Sequence, residues 1–329
     1  MKPMTAPRRQ RGVALIIALI LVALATILAT KLSFDGFLEQ RRTVGILAAE
    51  QALHFAMGAE ALAADVLMQD AQSNAQTTLA APWAQATQPF PITPDNDPEA
   101  EPIGAMQGAL EDMQGRFNLN TLARLGADGK EDPLPLAQFQ RLLRSVGLEE
   151  KWAGLARDWI DQDNDVSSPD GAEDAVYTSQ TPPYRTGNFP MMSTSELMNL
   201  PGFGAERYRK IAPYVTALPD AGTKINLCTA PALVLESLMD GLNNEWSGNP
   251  AVLTAERKAG CFPNLQTFTA VATTSNPKAM QSISPLIGTT SNYFQLTTRV
   301  TLGTTQFTLY SLLKRGTKVT PMLRSFGTP

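Results

Sequence analysis

Seven carboxylates fall within seventeen residues of this 329-residue chain: Asp158, Asp161, Asp163, Asp165, Asp170, Glu173 and Asp174. Arg157 and Arg185 are the nearest cations, too few to balance them. Carboxylates crowded in this way repel one another, and burial or proximity drives them to hold protons unless a cation neutralises them. Hard oxygen donors favour calcium. The alternative is a solvated acidic surface loop.

The spacing Asp161-x-Asp163-x-Asp165 matches the first three ligands of an EF-hand loop. The match then stops: the sixth position is Val166 in place of glycine, the twelfth is Ala172, and the acid falls one residue late at Glu173. An EF-hand is therefore not expected, whereas a calcium loop of another shape, built from some of these acids and backbone carbonyls, is. Paired carboxylates also serve glycoside hydrolysis, but no aromatic pattern that would form a sugar pocket surrounds them. His54 is the sole histidine and falls on the N-terminal helical pattern, so a histidine-based metal site is not expected.

Cys228 and Cys261 are the only cysteines. An even count in a chain that leaves the cytoplasm reads as a disulfide, with two buried free thiols as the alternative. Whether the chain leaves the cytoplasm is decided at its other end. Lys2, Arg8, Arg9 and Arg11 stand ahead of an uncharged run from Val13 to Thr30. At about 1.5 Å per helical residue this run reaches roughly 27 Å, close to the roughly 30 Å hydrocarbon core of a bilayer. The basic leader keeps the N-terminus cytoplasmic and sends the remainder across the membrane. A cleaved secretory signal would use Ala23-Leu24-Ala25, but that triplet lies inside the apolar run with Thr26 to Thr30 still uncharged beyond it. A plain signal-anchor is the other alternative.

Gly12 directly before the apolar run, preceded by arginines, resembles the type IV prepilin signal. The resemblance implies cleavage by a prepilin peptidase after Gly12, a mature protein that starts at Val13 and carries an N-terminal methyl group, and retention of the hydrophobic helix. Members of that class usually have glutamate at the fifth mature position, where this chain has Ile17. A subunit at the tip of a fibre lacks one neighbour to pair such a carboxylate and can do without it, since an unpaired charge in lipid is costly.

Composition sets the remaining bounds. With 43% hydrophobic residues the chain can bury a sizeable core, enough for two lobes besides the membrane helix. Removing the four basic leader residues takes Lys+Arg from 27 to 23 against 31 acids, a mature charge near -8. That argues against a nucleic-acid partner.

Helical periodicity continues past the membrane run through Val44, Ala48, Ala52, Phe55, Ala59, Leu62 and Val66. Residues 74–101 read as a loop. Residues 108–120 carry the glycine punctuation of a hairpin, and Asn118-Leu119-Asn120-Thr121 is echoed by Asn226-Leu227-Cys228-Thr229, each ahead of a helical pattern. Helices are predicted over 136–146, 149–160, 193–199 and 205–215. Between the last two, Leu200-Pro201-Gly202-Phe203-Gly204 resembles a helix-hairpin-helix turn, with Arg207, Arg209 and Lys210 just beyond. Its first reading is a tight packing turn; a phosphate-binding turn is the alternative. A terminal antiparallel hairpin is predicted from Tyr293–Leu302 and Gln306–Arg315 around Gly303.

The order of parts, together with Asp158-Trp159-Ile160-Asp161, Gly171-Ala172-Glu173-Asp174, Pro182-Pro183-Tyr184-Arg185 and Ser195-Glu196-Leu197, resembles the K subunit family of type II secretion systems, the large minor pseudopilins. The resemblance implies an α+β pilin-like fold, a long N-terminal helix packed on an antiparallel sheet with a large inserted α-helical domain. The parts would be a leader at 1–12, a transmembrane helix at 13–30, the pilin-like domain at 31–120 and 221–329, and the insertion at 121–220. It also implies calcium held by Asp161, Asp163, Asp165, Glu173 and Asp174, and assembly with minor pseudopilins I and J at the tip of a periplasmic fibre. The chain would be a single-pass protein of the inner membrane that supports export across the outer membrane and catalyses nothing. The alternative function is a membrane-tethered, pilin-like DNA-binding protein of a DNA-uptake system, motivated by the helix-hairpin-helix turn.

Overall fold

The computed structural model describes residues 11–85, 87–94, 97, 99–126, 129–167, 169–238, 260–261, 268 and 284–327. The leader residues 1–10 lie outside the described set. Helix α1 runs unbroken over Arg11–Ser73, 63 residues. Its apolar N-terminal part is long and apolar enough to cross a membrane, and none of that window is buried.

The C-terminal half of α1 lies on a five-stranded antiparallel sheet made of β1 (Phe90–Ile92), β2 (Gly104–Asp112), β7 (Tyr293–Leu302), β8 (Thr305–Arg315) and β9 (Val319–Phe326), in that order across the sheet. The strands alternate as a half-buried sheet must. Phe294, Leu296, Val300, Leu309 and Leu313 point at the helix, and Ala52, Ala56, Ala59, Ala63 and Leu67 meet them. The buried stripe is rotated from the expected one. Ala52 and Ala59 are in it, but Val44, Leu62 and Val66 are exposed; the alanines let the helix sit close to the sheet, with Leu67 the one large aliphatic side chain of the helix fully buried there. His54 is exposed, as a helix-surface residue. Arg324 of β9 grips Glu60 through Nε at 2.9 Å and Nη2 at 2.7 Å, and Ser311 Oγ donates to the same carboxylate at 2.8 Å.

The terminal hairpin is present as predicted, and β9 adds a strand that the pattern did not announce. The hairpin expected over 108–120 is absent. β2 pairs instead with β1 and β7, and the glycines at 108 and 115 sit within a strand and a 3-10 turn. Two strands also occur where only loop or helix was expected, β1 in the 74–101 stretch and β4 (Val215–Thr216) at the end of the last helical pattern.

Between β2 and β7 the chain makes two excursions. The first leaves at β3 (Phe117–Asn118) and comes back at β4, which runs parallel beside it. The second leaves at β5 (Ile225–Asn226) and returns at β6 (Ile287–Gly288), again parallel. The two asparagine echoes mark these departures: Asn118 Oδ1 accepts from the Asn120 N–H, and Asn226 Oδ1 from the Cys228 N–H. The first excursion holds α2 (Pro133–Ser145), α3 (Trp152–Ile160), α4 (Asp174–Tyr177) and α5 (Gly204–Ile211); the second begins with α6 (Ala232–Leu238). α2 starts where Asp132 caps the Leu134 N–H and Pro133 fixes the first turn. One apolar core serves both excursions, since Phe117, Phe139, Trp152 and Tyr177 share it with Ile225, Leu235 and Leu286. The packing thus carries the helical block past residue 220, the boundary expected from sequence.

The seam between sheet and excursions is polar and buried. Asp112, at the end of β2, accepts from Ser291 Oγ and Thr229 Oγ1 at 2.6 Å, Asn226 Nδ2 at 2.9 Å and the Gln114 N–H at 2.8 Å. Burial pushes its carboxyl up, against the pull of those donors.

Candidate metal centre

The acidic loop is built on the end of α3. That helix buries Trp152, Ala153, Ala156, Trp159 and Ile160, which fixes its last turn, and Asp161 closes it with its N–H on the Arg157 carbonyl at 3.0 Å. Asp158 is wholly buried and its carboxylate accepts the Ser167 N–H, so residues 161–167 fold back over the helix end. Gly171 then passes so close that a Cβ there would lie 2.2 Å from Asp158 Oδ2. Only glycine fits. The chain is thereby steered to deliver Glu173 into the loop.

Asp161, Asp163 and Glu173 converge, with one oxygen from each within 4.8 Å of the others. Glu173 is 5% exposed. Both carboxylate oxygens of Asp161 are buried without a hydrogen-bond donor, and those of Glu173 are buried with only the Thr186 hydroxyl, itself bonded to Asp174, to draw on. Burial, and after it the charges of Asp158, Asp163, Glu173 and Glu131, push Asp161 up to about 7. Glu173 is pushed up to about 7 by burial, then by Asp158, Asp163 and Asp174. Orphaned, buried, mutually repelling oxygens are what a cation would relieve. Oxygens sharing a calcium at roughly 2.3–2.6 Å lie at most about 5 Å apart, so the observed separation fits that ion.

The other two expected ligands stand elsewhere. Asp165 is exposed and contributes its N–H to Asp163 Oδ1 at 2.9 Å, a turn that aims Asp163. Asp174 begins α4 and accepts the N–H and Oγ1 of Thr186, each at 3.1 Å, tying the 186 region to the acidic loop. Alternating spacing could not foresee this, because the loop turns at residues 163–165 instead of staying extended. Asn188 also reaches the site, its Nδ2 donating to the Asp163 carbonyl at 3.1 Å. Lying 25 positions away and uncharged, it gave no signal in an acid count.

Cys228 and Cys261 form a disulfide. Gly12 falls in the first turn of α1, and Val13 and Ile17 are exposed on it. In the helix-hairpin-helix-like turn, Gly202 and Gly204 take positive φ of 82° and 68°. Arg207 caps this turn from inside, Nη1 donating to the carbonyls of Gly202 at 2.9 Å and Phe203 at 3.1 Å, and its guanidinium lies over Trp152. Phe203 is buried edge-on against the same ring. The turn packs the core, as its first reading expects.

Comparison with known proteins agrees with this architecture. The family model for type II secretion system (T2SS), protein K, matches residues 115–220. Type II secretion system protein K of Pseudomonas aeruginosa is 34% identical over 97% of this chain and 94% of its own length. That of Aeromonas hydrophila is 32% identical over 94% of both chains. Among solved structures, a chain of the GspK-GspI-GspJ complex from the type 2 secretion system of enterotoxigenic Escherichia coli superposes with a TM-score of 0.76. The two are 26% identical, and the match covers 88% of this chain and 100% of the other. With full-length relatives at such identity on a shared fold, the chain belongs to the type II secretion system protein K family.

Proposed function

We propose that the protein is a structural minor pseudopilin that caps the tip of a periplasmic pseudopilus together with minor pseudopilins I and J, and so supports export across the outer membrane. The observation that carries this reading is the superposition on a chain solved in complex with GspI and GspJ. Two features support it. A helical block inserted at the bend between β2 and β7 is too bulky for a fibre shaft, which suits a terminal position. Ile17 leaves the membrane helix without the carboxylate that would need a neighbour above. The helix anchors the subunit in the inner membrane after prepilin-peptidase cleavage at Gly12, with methylation of Val13, and on assembly exchanges lipid for other pseudopilin helices. No catalytic step is part of this role.

Calcium belongs to the same proposal. Asp161, Asp163 and Glu173 would hold it, with Asp165 and Asp174 shaping the loop around them, and the ion would supply positive charge that fixes the loop. The test is co-purification of the membrane-extracted full chain with pseudopilins I and J. A stable complex is expected; a chain that remains alone with both partners present would overturn the reading.

A further inference from the structure

One oxygen from each of the three carboxylates makes three ligands, fewer than the six to eight that calcium takes, and the loop holds a further buried oxygen without a donor on Asn188, whose amide nitrogen bonds the Asp163 carbonyl. Asn188 is the single non-glycine among the described residues with positive φ, 43°. Such a conformation is held only where the surroundings enforce it. Its amide nitrogen is fully engaged, donating to the Asp163 carbonyl at 3.1 Å and to Asn164 Oδ1 at 3.2 Å. Its Oδ1 is buried and has no donor. The residue before it, Gly187, lies so near the end of α3 that a Cβ there would stand 3.1 Å from the Trp159 carbonyl, two positions ahead of Asp161. Asn188 is thus wedged between the helix end and Asp163, with the nitrogen side of its amide turned to the loop backbone and the oxygen left over.

We infer that Asn188 Oδ1 is a neutral ligand of the cation held by Asp161, Asp163 and Glu173, and that the cation thereby clamps the 186–192 segment to the acidic loop. This rests on the calcium reading above. A neutral oxygen adds coordination without adding to the repulsion among three carboxylates, and side-chain amide oxygens are ordinary calcium ligands. The clamped segment carries Phe189, 62% exposed and next to Asn188, so the cation also sets how this apolar side chain is presented.

Calorimetric titration of Ca2+ into the detergent-solubilised full chain tests the inference. Asn188→Gly keeps the positive φ at no steric cost while removing the oxygen; Asn188→Asp restores an oxygen; Glu173→Gln reports on the site itself. Asn188→Gly should weaken Ca2+ binding on the order of tenfold or more, with Asn188→Asp recovering most of it. Amide exchange in residues 186–192 should slow on adding Ca2+ in the wild type and not in Asn188→Gly. If Asn188→Gly binds as the wild type does while Glu173→Gln does not bind, Asn188 is no ligand and the calcium reading stands without it. If the wild type itself binds no Ca2+, the calcium reading fails and this inference falls with it.

Discussion

Asp161 and Glu173 ordinarily titrate at 3.8 and 4.5, and in the folded loop both are pushed up to about 7. Between those values the metal-free fold holds protons that the unfolded chain has released, so its stability falls as pH rises from about 4 to about 7 and then levels off. Calcium bound as proposed would reverse the sign, because it would take only the ionised carboxylates and its stabilisation would grow over the same interval. Melting curves in chelator should therefore show Tm dropping from pH 5 to pH 8, and in millimolar calcium that drop should vanish or invert. Glu173→Gln gives a second expectation. At pH 8 in chelator it should stabilise the protein by roughly 1–3 kcal/mol by removing a buried charge, whereas in calcium it should lower Tm; destabilisation under both conditions would argue for a purely structural carboxylate. The crowding of carboxylates in one loop was legible from sequence, and like charges at such density are what raised the expectation of a cation. Which acids converge was not legible, since that depends on the Asp163 turn and on the Gly171 passage against Asp158, both tertiary facts.

At the scale of elements, α1 turns a mostly alanine face, with Leu67, to the sheet. Ala52, Ala56, Ala59 and Ala63 bring it close to the sheet, and Val44, Ile46, Leu47 and Leu62 remain exposed on the other sides beyond the apolar membrane run. Ala56→Leu should overpack the helix–sheet contact and cost about 1–3 kcal/mol in a chemical denaturation curve. Leu62→Ser, at 61% exposure, should leave the stability of the isolated subunit within about 0.5 kcal/mol and act only on assembly with other pseudopilins, read by co-purification. The sequence carried the helix and the β7–β8 hairpin plainly, through a long uninterrupted period and a two-stranded alternation. It misled over 108–120, where glycine punctuation suggested a local hairpin. β2 finds its partners in β1 and β7 instead, and β7 lies far along the chain, beyond the reach of any local pattern.

For the molecule as a whole, the disulfide joins residues 33 positions apart, and its Cys228 end belongs to the core that both excursions share. Cys228→Ser with Cys261→Ser should lower unfolding stability by about 3–4 kcal/mol, the loop-closure value for that length, measured by denaturant titration of the oxidised and doubly substituted proteins. The order of the five main strands has a larger consequence. Across the sheet, β1-β2-β7-β8-β9 is also their order along the chain, and Asp112 at the end of β2 stands opposite Phe294 in β7. Taken as topology, the sheet is a simple meander in which residues 113–293 occupy the place of a hairpin turn. A whole domain has been threaded through that bend without disturbing any strand's neighbours. Replacing 113–293 with Asn-Gly should leave a compact meander under α1, provided Asp112 is changed to Thr, because Ser291, Thr229, Asn226 and Gln114 would no longer be there to satisfy its carboxylate. The cargo domain and the sheet that bears it are then separable at a single bend, and that bend is where shortened or regrafted versions of the protein would be cut.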